Sequence, residues 1–504
     1  MQSQPKAHSA QTWLFTLIAL HTQAWILVPL WFHDAPPLDV VELLTLHNTG
    51  AIANYKHPNL PGLLLNGLLW LGFNLHLAYL ALSTLSIATA LILVFRLSRY
   101  FVADWRAAAS SALLLGIYYY TWPIPEFNHN VLQIPLWAAI LLSAYRAVNL
   151  NRWQEWTLLG TLSALLIWTK YSGGILLLCI LLWLLYEPRA RKRFTTSGPW
   201  IALISFLVVA YPQFDYLISS HFLPLTYAIN RASGETTPIY SFYLAQLADH
   251  IPMLLLLLLS GALWRGSLVR SREQASSYEL NGSTKSAITE PKALVFILFL
   301  GLGPLLLLLV LSLLGGLNLR AMWGAPMFNL SGLACLLFCG GRLDTKRIKK
   351  VLVGAVVMTV TLALLYGYQH SLREASGKKP LRTQWPVAQL SLELNRVVPA
   401  TESLIIAGPY WEAGLASLAL GLLHPVAVDA DPIKSVNGFT DSGRVEANRS
   451  VLMVWSNPNQ LTPEMLTLIQ KRGSSVGLAE TVTLDWAEGS PAIKLSILFL
   501  KSTD

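Results

Sequence analysis

The chain has 504 residues, of which 54% are hydrophobic and 12% charged, and its mean hydropathy is +0.49. This composition excludes an ordinary soluble protein and predicts a polytopic membrane protein. The net charge of +9 is typical of Lys and Arg in the inner loops of such proteins, so we expect no nucleic-acid partner.

Apolar stretches long enough to cross about 30 Å of hydrocarbon recur along the chain as far as residue 369. There are about eleven, at 12–32, 76–95, 107–122, 131–148, 156–169, 173–186, 199–218, 241–264, 292–314, 321–341 and 351–369. The first is expected to be a retained span, because no small-residue cleavage site follows it. The stretches 156–169 and 173–186 are short, and they are interpreted either as two helices or as one long tilted helix.

Basic residues are concentrated in every second loop. These loops lie at 96–106, 146–152, 189–193, 265–272 and 342–350, whereas the opposite loops contain only Lys56, Lys170, Arg231 and Arg320. Because short basic loops are held in the cytoplasm, the bias predicts a cytoplasmic N-terminus and an odd number of spans. The first outer loop and everything after about residue 370 are then expected outside the cytoplasm.

The pattern changes after Leu381. An amphipathic helix is predicted at 387–398 and a second helix at 412–422, and short apolar strands are predicted at 403–408, 426–428, 451–455 and 493–500. Strands that alternate with helices of this length indicate a small α/β domain. The predicted fold class is therefore an α-helical polytopic membrane protein with a small C-terminal extracytoplasmic α/β domain. The predicted domains are a transmembrane domain over 1–370, with its first outer loop at 33–75, and an exported domain over 371–504.

The first outer loop combines two carboxylates with two bases. Asp39 and Glu42 are spaced at i, i+3, so on a short helix both would project from one face. Such a pair can act as a general base, or hold a sugar or a cation; the alternative is that Asp39 only caps a helix after two prolines. Lys56 and His57 follow in the same loop, where a cation near the lipid headgroups suits a phosphate partner. The alternative for Lys56 is an interfacial anchor.

The second outer loop is short, rigid and polar. Its Glu126, Asn128, His129 and Asn130 offer donors and acceptors of the kind that bind sugar hydroxyls, although side chains that satisfy helix ends have the same pattern. Lys170 and Arg320 lie at the predicted outer ends of later apolar stretches. Each is a candidate to contact a phosphate or, alternatively, to anchor a helix end.

Four polar motifs follow one another along the outer loops. They are Asp-x-x-Glu from residue 39, Tyr-Lys-His-Pro from residue 55, Glu-Phe-Asn-His-Asn from residue 126 and Thr-Lys-Tyr-Ser-Gly from residue 169. This order resembles bacterial family 39 glycosyltransferases, which are multispan C-type enzymes related to protein O-mannosyltransferases and to the lipid A aminoarabinose transferase. The resemblance covers roughly residues 10–340, and residues 386–441 resemble the exported tail of one bacterial subgroup. Two positions depart from it: many relatives have Pro where this chain has Asn59, and many have Asp in the second outer loop where it has Asn-His-Asn.

The resemblance implies C-type architecture in the bacterial inner membrane, with a periplasmic tail. It also implies transfer of a sugar from a polyprenyl-phosphate carrier to a lipid, glycan or protein acceptor on the periplasmic face. The family's loop acid falls on Asp39, with Glu42 beside it, and the cations on the phosphate side fall on Lys56, Lys170 and Arg320. No cofactor follows from the residues, and a divalent metal is left open, with its ligands unknown. The alternative function is a transporter or flippase of a glycolipid, which predicts mid-membrane charges and internal repeats that the sequence lacks.

Overall fold

The structure, a computed structural model, describes residues 7–47, 52–233, 238–263, 290–339, 343–399, 404–422, 426–427, 450–457, 480–486 and 490–501. Every predicted apolar stretch contains helix where it is described. The last residues of the stretches 241–264 and 321–341 lie outside the described residues.

The helices of the first half are α1 (Ala7–Phe32), α2 (Leu38–His47), α3 (Leu60–Trp70), α4 (Leu75–Ser98), α5 (Asp104–Leu113), α6 (His129–Leu150), α7 (Trp153–Thr169), α8 (Gly174–Tyr186), α9 (Pro188–Lys192) and α10 (Gly198–Ser219). They are followed by α11 (Leu223–Ala232), α12 (Ile239–Asp249), α13 (Ile251–Leu259), α14 (Glu290–Ile297), α15 (Gly303–Gly315), α16 (Ser331–Cys339) and α17 (Thr345–Ala375). Short 3₁₀ segments occupy Leu114–Gly116, Tyr118–Tyr120, Tyr171–Gly173, Arg193–Thr195, Ala321–Phe328 and Arg382–Gln384, and the π-helical turn Leu298–Leu302 joins α14 to α15.

Length and hydropathy identify the helices that can cross a membrane. Among the described residues, seven helical segments qualify, or up to nine if each of two bent pairs is one span. The other two predicted stretches are shorter: α5 has 10 residues before its 3₁₀ turns, and α7 has 17. The stretches 156–169 and 173–186 form two separate helices, α7 and α8, joined through a 3₁₀ turn. Large apolar side chains such as Ile204, Val208 and Leu314 are exposed on the spans, as expected for a surface that meets lipid.

The short helix α2 lies between two apolar cores. Its Val40, Leu43 and Leu44 pack with residues of α4 and α6 in one core. Its Val41 packs into a second core, which is built mainly from the C-terminal part of the chain. Because neighbouring positions on one helix serve different cores, the orientation of α2 is fixed from both sides. The carboxylates that it carries are therefore held in place.

The C-terminal part forms a five-stranded sheet with strands β1 (Leu404–Ala407), β2 (Val426–Ala427), β3 (Ser450–Trp455), β4 (Glu480–Leu484) and β5 (Ile493–Leu500). The strand order is β2-β1-β3-β5-β4, with β1 parallel to β2 and β3, and β5 antiparallel to β3 and β4. The helices α18 (Val387–Val397) and α19 (Tyr410–Ala419) pack on it through buried leucines and Trp411.

The predicted α-helical membrane fold with a small α/β unit after the last span is confirmed, and the side of the membrane on which this unit lies stays a prediction. Strands lie within or across the four segments predicted from sequence. Strand β4 was not predicted, because its Thr and Glu side chains are exposed and leave only two buried apolar positions. The boundary at residue 370 stays a prediction; α17 itself continues to Ala375.

Candidate active site

The first outer loop contains a tight hairpin at residues 52–59, closed by backbone hydrogen bonds. Inside it, Asn54 Oδ1 accepts hydrogen bonds from the backbone N–H groups of Lys56 at 2.9 Å and His57 at 2.6 Å. An Asn side chain bonded to the backbone two residues on is a common way to form a turn. Asn54 therefore fixes the point from which the Lys56 side chain leaves the loop.

Lys56 reaches from this hairpin to α2. Its ammonium nitrogen lies 3.0 Å from Glu42 Oε1 and 2.8 Å from Glu42 Oε2, and the two side chains are only 25% and 8% exposed. Burial lowers the pKa of Lys56, but the Glu42 carboxylate more than offsets this and the net shift is upward. Burial raises the pKa of Glu42, and the contacts with Lys56 oppose that shift. With two contacts this short, the pair is an ion pair at neutral pH.

Asp39 lies in the first turn of α2, past the cap position, on the helix that also carries Glu42. A carboxylate in the first turn is favoured by the helix dipole. The residue is half-buried, and Asn128 Nδ2 donates a hydrogen bond to its Oδ2 at 2.8 Å. The same Asn128 caps α6 through its Oδ1, which accepts from two backbone N–H groups. Asn128 thus serves both as a helix cap and as the group that orients Asp39.

Lys170 directly follows α7 and faces this region. Its ammonium donates to Asn130 Oδ1 at 2.8 Å, and it forms no salt bridge within the part of the chain that the structure describes. Burial lowers the pKa of Lys170 to about 8, and the nearby Asp39 carboxylate acts in the opposite direction. Lys170 is therefore a cation without a carboxylate partner, close to Asp39.

The two histidines predicted for the site lie together. The His57 and His129 rings are 4.5 Å apart, and His129 Nε2 is 2.9 Å from the carbonyl oxygen of Pro58. Burial lowers the pKa of His57, with smaller contributions from His129 and Lys170. The His57 ring is consequently neutral at physiological pH, and this pair packs the hairpin against the start of α6.

Glu126 in the second outer loop has an accessible side chain, but protein groups surround most of its carboxyl group. Burial raises its pKa to about 7, Asp39 adds to the rise, and Arg382 opposes it. Arg382 follows α17, and its guanidinium carbon lies 5.7 Å from the ring centre of Trp411. The region around Asp39 therefore contains a carboxyl group whose pKa is raised to about 7.

Aromatic side chains from three elements surround the Glu42–Lys56 pair. The Tyr55 ring lies edge-on to that of Tyr227 on α11, with ring centres 5.4 Å apart. Tyr410, the first residue of α19, lies close enough to Tyr55 and Glu42 for both to affect its pKa. These three tyrosines form the aromatic side of the site.

Backbone hydrogen bonds attach the first outer loop to the segment that precedes the α/β unit. The N–H groups of Asp34 and Ala35 donate to the Thr383 carbonyl at 2.8 and 3.0 Å. The neighbouring His33 bonds the hydroxyls of Tyr79 and Tyr366, each at 2.7 Å. The start of the loop is thus fixed to α4, α17 and the C-terminal part at once.

The structure brings eight of the nine predicted site residues into one region: Asp39, Glu42, Lys56, His57, Glu126, Asn128, His129 and Lys170. Arg320 is different. Its side chain is exposed, and the contacts described for the next residue, Ala321, are with Tyr119 and Gln246. Arg320 thus has no described contact with the cluster around Asp39.

Sequence reasoning missed five further residues of this region: Asn54, Tyr55, Tyr227, Arg382 and Tyr410. The Asn54 turn could be predicted from the sequence, because an Asn side chain often bonds to the backbone two residues later and so favours a turn. Asn130 was predicted, together with Glu126, Asn128 and His129, to offer polar groups to a sugar. Arg382 and Tyr410 belong to the C-terminal part, and no spacing rule connects them with a loop more than 300 positions earlier.

The described residues do not contain a ready set of metal ligands. Among the described residues there is no group of three or more His, Cys, Asp and Glu side chains that could hold a metal ion. Asp39 and Glu126 influence one another, but the other carboxylate, Glu42, is already paired with Lys56. We therefore derive no step through a metal.

Comparison with known proteins gives two matches of different kinds. The family model described as dolichyl-phosphate-mannose-protein mannosyltransferase matches residues 56–215. Among solved structures, the chain is similar to ArnT from Cupriavidus metallidurans bound to undecaprenyl phosphate, with a TM-score of 0.53 and 14% identity over 98% of this chain and 99% of that one. The apo state of ArnT gives a TM-score of 0.48 and 14% identity over 98% of this chain and 100% of that one. No curated protein sequence matches the chain.

The matched segment begins at Lys56 and includes the second outer loop and Lys170, whereas Asp39 precedes it. At 14% identity the structural likeness shows the fold alone, and it extends over nearly the whole chain. The sequence match and the fold together support an integral-membrane glycosyltransferase. The chain is thus similar to family 39 glycosyltransferases in sequence over residues 56–215 and in C-type fold over nearly its full length.

Proposed function

We propose that the protein transfers a sugar from a polyprenyl-phosphate carrier to a hydroxyl of a lipid, glycan or protein acceptor, with Asp39 as the general base. The observation that carries the proposal is the position of Asp39. Its carboxylate is oriented by Asn128 at 2.8 Å and lies close to the Lys170 ammonium, which has no carboxylate partner among the described residues. A base next to a cation that is not neutralised by a carboxylate suits a reaction in which a hydroxyl loses its proton and a phosphate leaves.

The reaction is a single displacement at the anomeric carbon. The acceptor oxygen forms the new glycosidic bond while the bond from the anomeric carbon to the phosphate oxygen breaks. The hydroxyl proton goes to the Asp39 carboxylate, and the electron pair of the broken bond leaves with the polyprenyl phosphate. One displacement inverts the anomeric configuration. Positioned general bases typically contribute about 10²–10⁴ in rate.

Cations stabilise the charge that develops on the leaving phosphate. Lys170 is suited to this role because no carboxylate is bonded to its ammonium among the described residues. The ammonium donates a hydrogen bond to the Asn130 amide oxygen, and Asp39 acts on it through its charge. An ammonium group has three hydrogens, and Lys56 uses two contacts for Glu42. The third hydrogen of the Lys56 ammonium is available to donate a hydrogen bond to the phosphate. Such preorganised charge acts most strongly where water is excluded.

These contacts favour different roles for the two carboxylates of α2. Glu42 is engaged with Lys56, so we assign it as a positioning residue that aims the lysine. Among the described residues, the Asp39 carboxylate accepts a side-chain hydrogen bond only from the Asn128 amide, and it is therefore the better base. His57, Glu126 and His129 are assigned to sugar or acceptor hydroxyls, and Arg320 to a more peripheral contact with the anionic carrier.

We further propose that the reaction takes place on the periplasmic face of the bacterial inner membrane. Support comes from the basic residues, which favour the opposite loops for the cytoplasm. The α/β unit packs on α2 through Val41, so the tail and the first outer loop lie on the same side. The division into a transmembrane domain over 1–370 and a periplasmic domain over 371–504 belongs to this proposal. The choice of a polyprenyl phosphate as the carrier is taken from the similarity to ArnT, whose structure was solved with undecaprenyl phosphate bound.

The test is reconstitution of the purified protein in liposomes with an undecaprenyl-phosphate-linked sugar and a total envelope lipid extract as acceptor. Mass spectrometry should detect free undecaprenyl phosphate together with a lipid that has gained one sugar. Both products should be lost in the Asp39→Asn variant. If the donor moves between leaflets without cleavage, the protein is a flippase instead. If no donor is consumed with envelope lipid, glycan or protein fractions, the transferase proposal is wrong.

A further inference from the structure

Tyr410 is placed by a sharp turn at the end of strand β1. The strand ends at Ala407, and Gly408 and Pro409 lead directly into α19, whose first residue is Tyr410. A Cβ at Gly408 would lie 2.1 Å from the carbonyl oxygen of Val454 on the neighbouring strand β3. Only glycine fits this close approach, so the turn fixes where α19 starts and where the Tyr410 side chain leaves the backbone.

The helix that starts with Tyr410 is pressed against α2. A Cβ at Gly414 would lie 2.3 Å from Val41 Cγ1, so the two helices touch at this glycine. Trp411 and Leu415 of α19 belong to the same buried core as Val41 of α2, so apolar packing extends the contact between the two helices. Tyr410 is therefore held close to α2, where it lies near Glu42.

The Tyr410 hydroxyl is buried and lacks a hydrogen-bond partner among the described residues. It is the one tyrosine hydroxyl of the described chain in this state. The Tyr55 hydroxyl lies beside it, close enough for each tyrosine to affect the pKa of the other. Burial raises the pKa of Tyr410, and Tyr55 and Glu42 add to the rise, so the hydroxyl keeps its proton and can donate. Because proteins rarely leave a buried hydroxyl unsatisfied, this group points to a partner that binds there.

The position in the sheet leads to the same conclusion independently. Tyr410 follows the carboxyl end of β1, which is parallel to its neighbours β2 and β3. In open α/β sheets, ligands bind beyond the carboxyl ends of parallel strands. The carboxyl end of β3 contributes to the same edge, where Ser456 Oγ donates to Glu412 Oε1 at 2.5 Å. At that edge, Tyr410 lies close enough to Glu42 for the carboxylate to raise the pKa of its hydroxyl.

We infer that Tyr410 is a donor-binding residue that the C-terminal α/β unit contributes to the outer-loop site. Its hydroxyl donates a hydrogen bond to an acceptor oxygen of the polyprenyl-phosphate-linked sugar, beside the ammonium of Lys56. The inference rests on the proposed function, because it takes the donor from there. It adds that the site is incomplete without the α/β unit, so that this unit takes part in recognition of the donor.

The experiment compares donor binding by the wild-type protein and the Tyr410→Phe variant, both full-length in nanodiscs. Two probes are used without acceptor: undecaprenyl phosphate alone and an undecaprenyl-phosphate-linked sugar. The variant should bind the sugar-linked donor about tenfold more weakly, the change expected from loss of one hydrogen bond. An equal loss with undecaprenyl phosphate assigns the contact to the phosphate, and a loss only with the sugar-linked probe assigns it to the sugar.

The thermal unfolding temperature separates binding from structure. The phenylalanine ring keeps the packing and removes an unpartnered buried hydroxyl, so the Tyr410→Phe variant should be as stable as the wild type or more so. The matched control is Tyr368→Phe on α17, where the side chain is exposed and binding should not change. Wild-type affinity of Tyr410→Phe for both probes would overturn the inference and leave the transferase proposal intact. Absence of binding by the wild-type protein itself would overturn both.

Discussion

Lys56 joins the hairpin of the first outer loop to Glu42 on α2, with its ammonium nitrogen 2.8 Å from Oε2 and 3.0 Å from Oε1. The pair is largely buried, since the Glu42 side chain is 8% exposed and that of Lys56 25%. One partner cannot be removed without leaving the other charge in a poorly hydrated place. The pair therefore contributes both to the shape of the loop and to the position of the lysine.

Breaking this pair should destabilise the protein more than loss of a surface ion pair. We expect Lys56→Met to cost more than the roughly 1 kcal/mol typical of exposed pairs, approaching the about 3–5 kcal/mol of buried ones. Glu42→Gln should cost a similar amount, and the double variant less than the sum. Unfolding in detergent measures all three. Strict additivity of the two single changes would contradict a direct interaction.

Asp39→Asn should abolish or severely reduce transfer, by about 10²-fold or more, while donor binding persists. The amide keeps an oxygen that can accept the hydrogen bond from Asn128, so the local structure should survive. It cannot take up the proton of the acceptor hydroxyl. Rates with purified donor, together with donor affinity, measure the two effects separately.

The control for this change is Asp104→Asn, which affects a partly exposed carboxylate paired with Arg99 and far from α2 along the chain. That variant should transfer sugar at the wild-type rate. If Asp39→Asn is active and Glu42→Gln is inactive, the base is Glu42. Full activity in both variants would remove the catalytic role of α2.

Donor affinity should fall as pH rises through about 7, because Glu126 loses its proton there. Burial raises the pKa of this carboxyl group to about 7. Below that pH it is neutral, and above it a second carboxylate stands near Asp39 and repels the phosphate. The sugar-linked donor suits the measurement, since its phosphodiester keeps a constant charge in this range. Glu126→Gln should flatten the profile near pH 7, and an affinity that increases with pH would instead indicate a role for the carboxylate in holding a cation.

Lys170 should produce a second loss of affinity as pH rises through about 8, the value to which burial lowers its pKa. Above that pH the amine is neutral and no longer attracts the phosphate. Lys170→Arg should retain affinity at pH 9, because a guanidinium group stays charged. Lys170→Met should weaken binding at every pH. If Lys170→Met binds the donor like the wild type, the residue only anchors the end of α7.

The sequence predicts local features of this site well and distant contacts poorly. The i, i+3 spacing of Asp39 and Glu42 places both on one short helix, as the structure has them. The partner of Glu42 could not be read from spacing, because Lys56 reaches it only after the Asn54 turn has folded back. The position of Tyr410 depends on how the C-terminal α/β unit packs against α2, which no local periodicity encodes. Residues held by short-range geometry were therefore predictable, and those delivered by tertiary packing were not.

Contact between α19 and α2 should be necessary for activity, and Gly414 tests it directly. A methyl group there would lie 2.3 Å from Val41 Cγ1 and 3.1 Å from Thr45 Cγ2. Gly414→Ala should therefore push the helices apart, cost about 1–3 kcal/mol and reduce transfer through displacement of Tyr410. The second change Val41→Ala removes the crowded methyl, so the double variant should recover part of both losses. Gly67→Ala on α3 is the control, because a Cβ there meets nothing within 4 Å and alanine favours helix. Wild-type stability and transfer by Gly414→Ala would show that the α/β unit is not needed at the site.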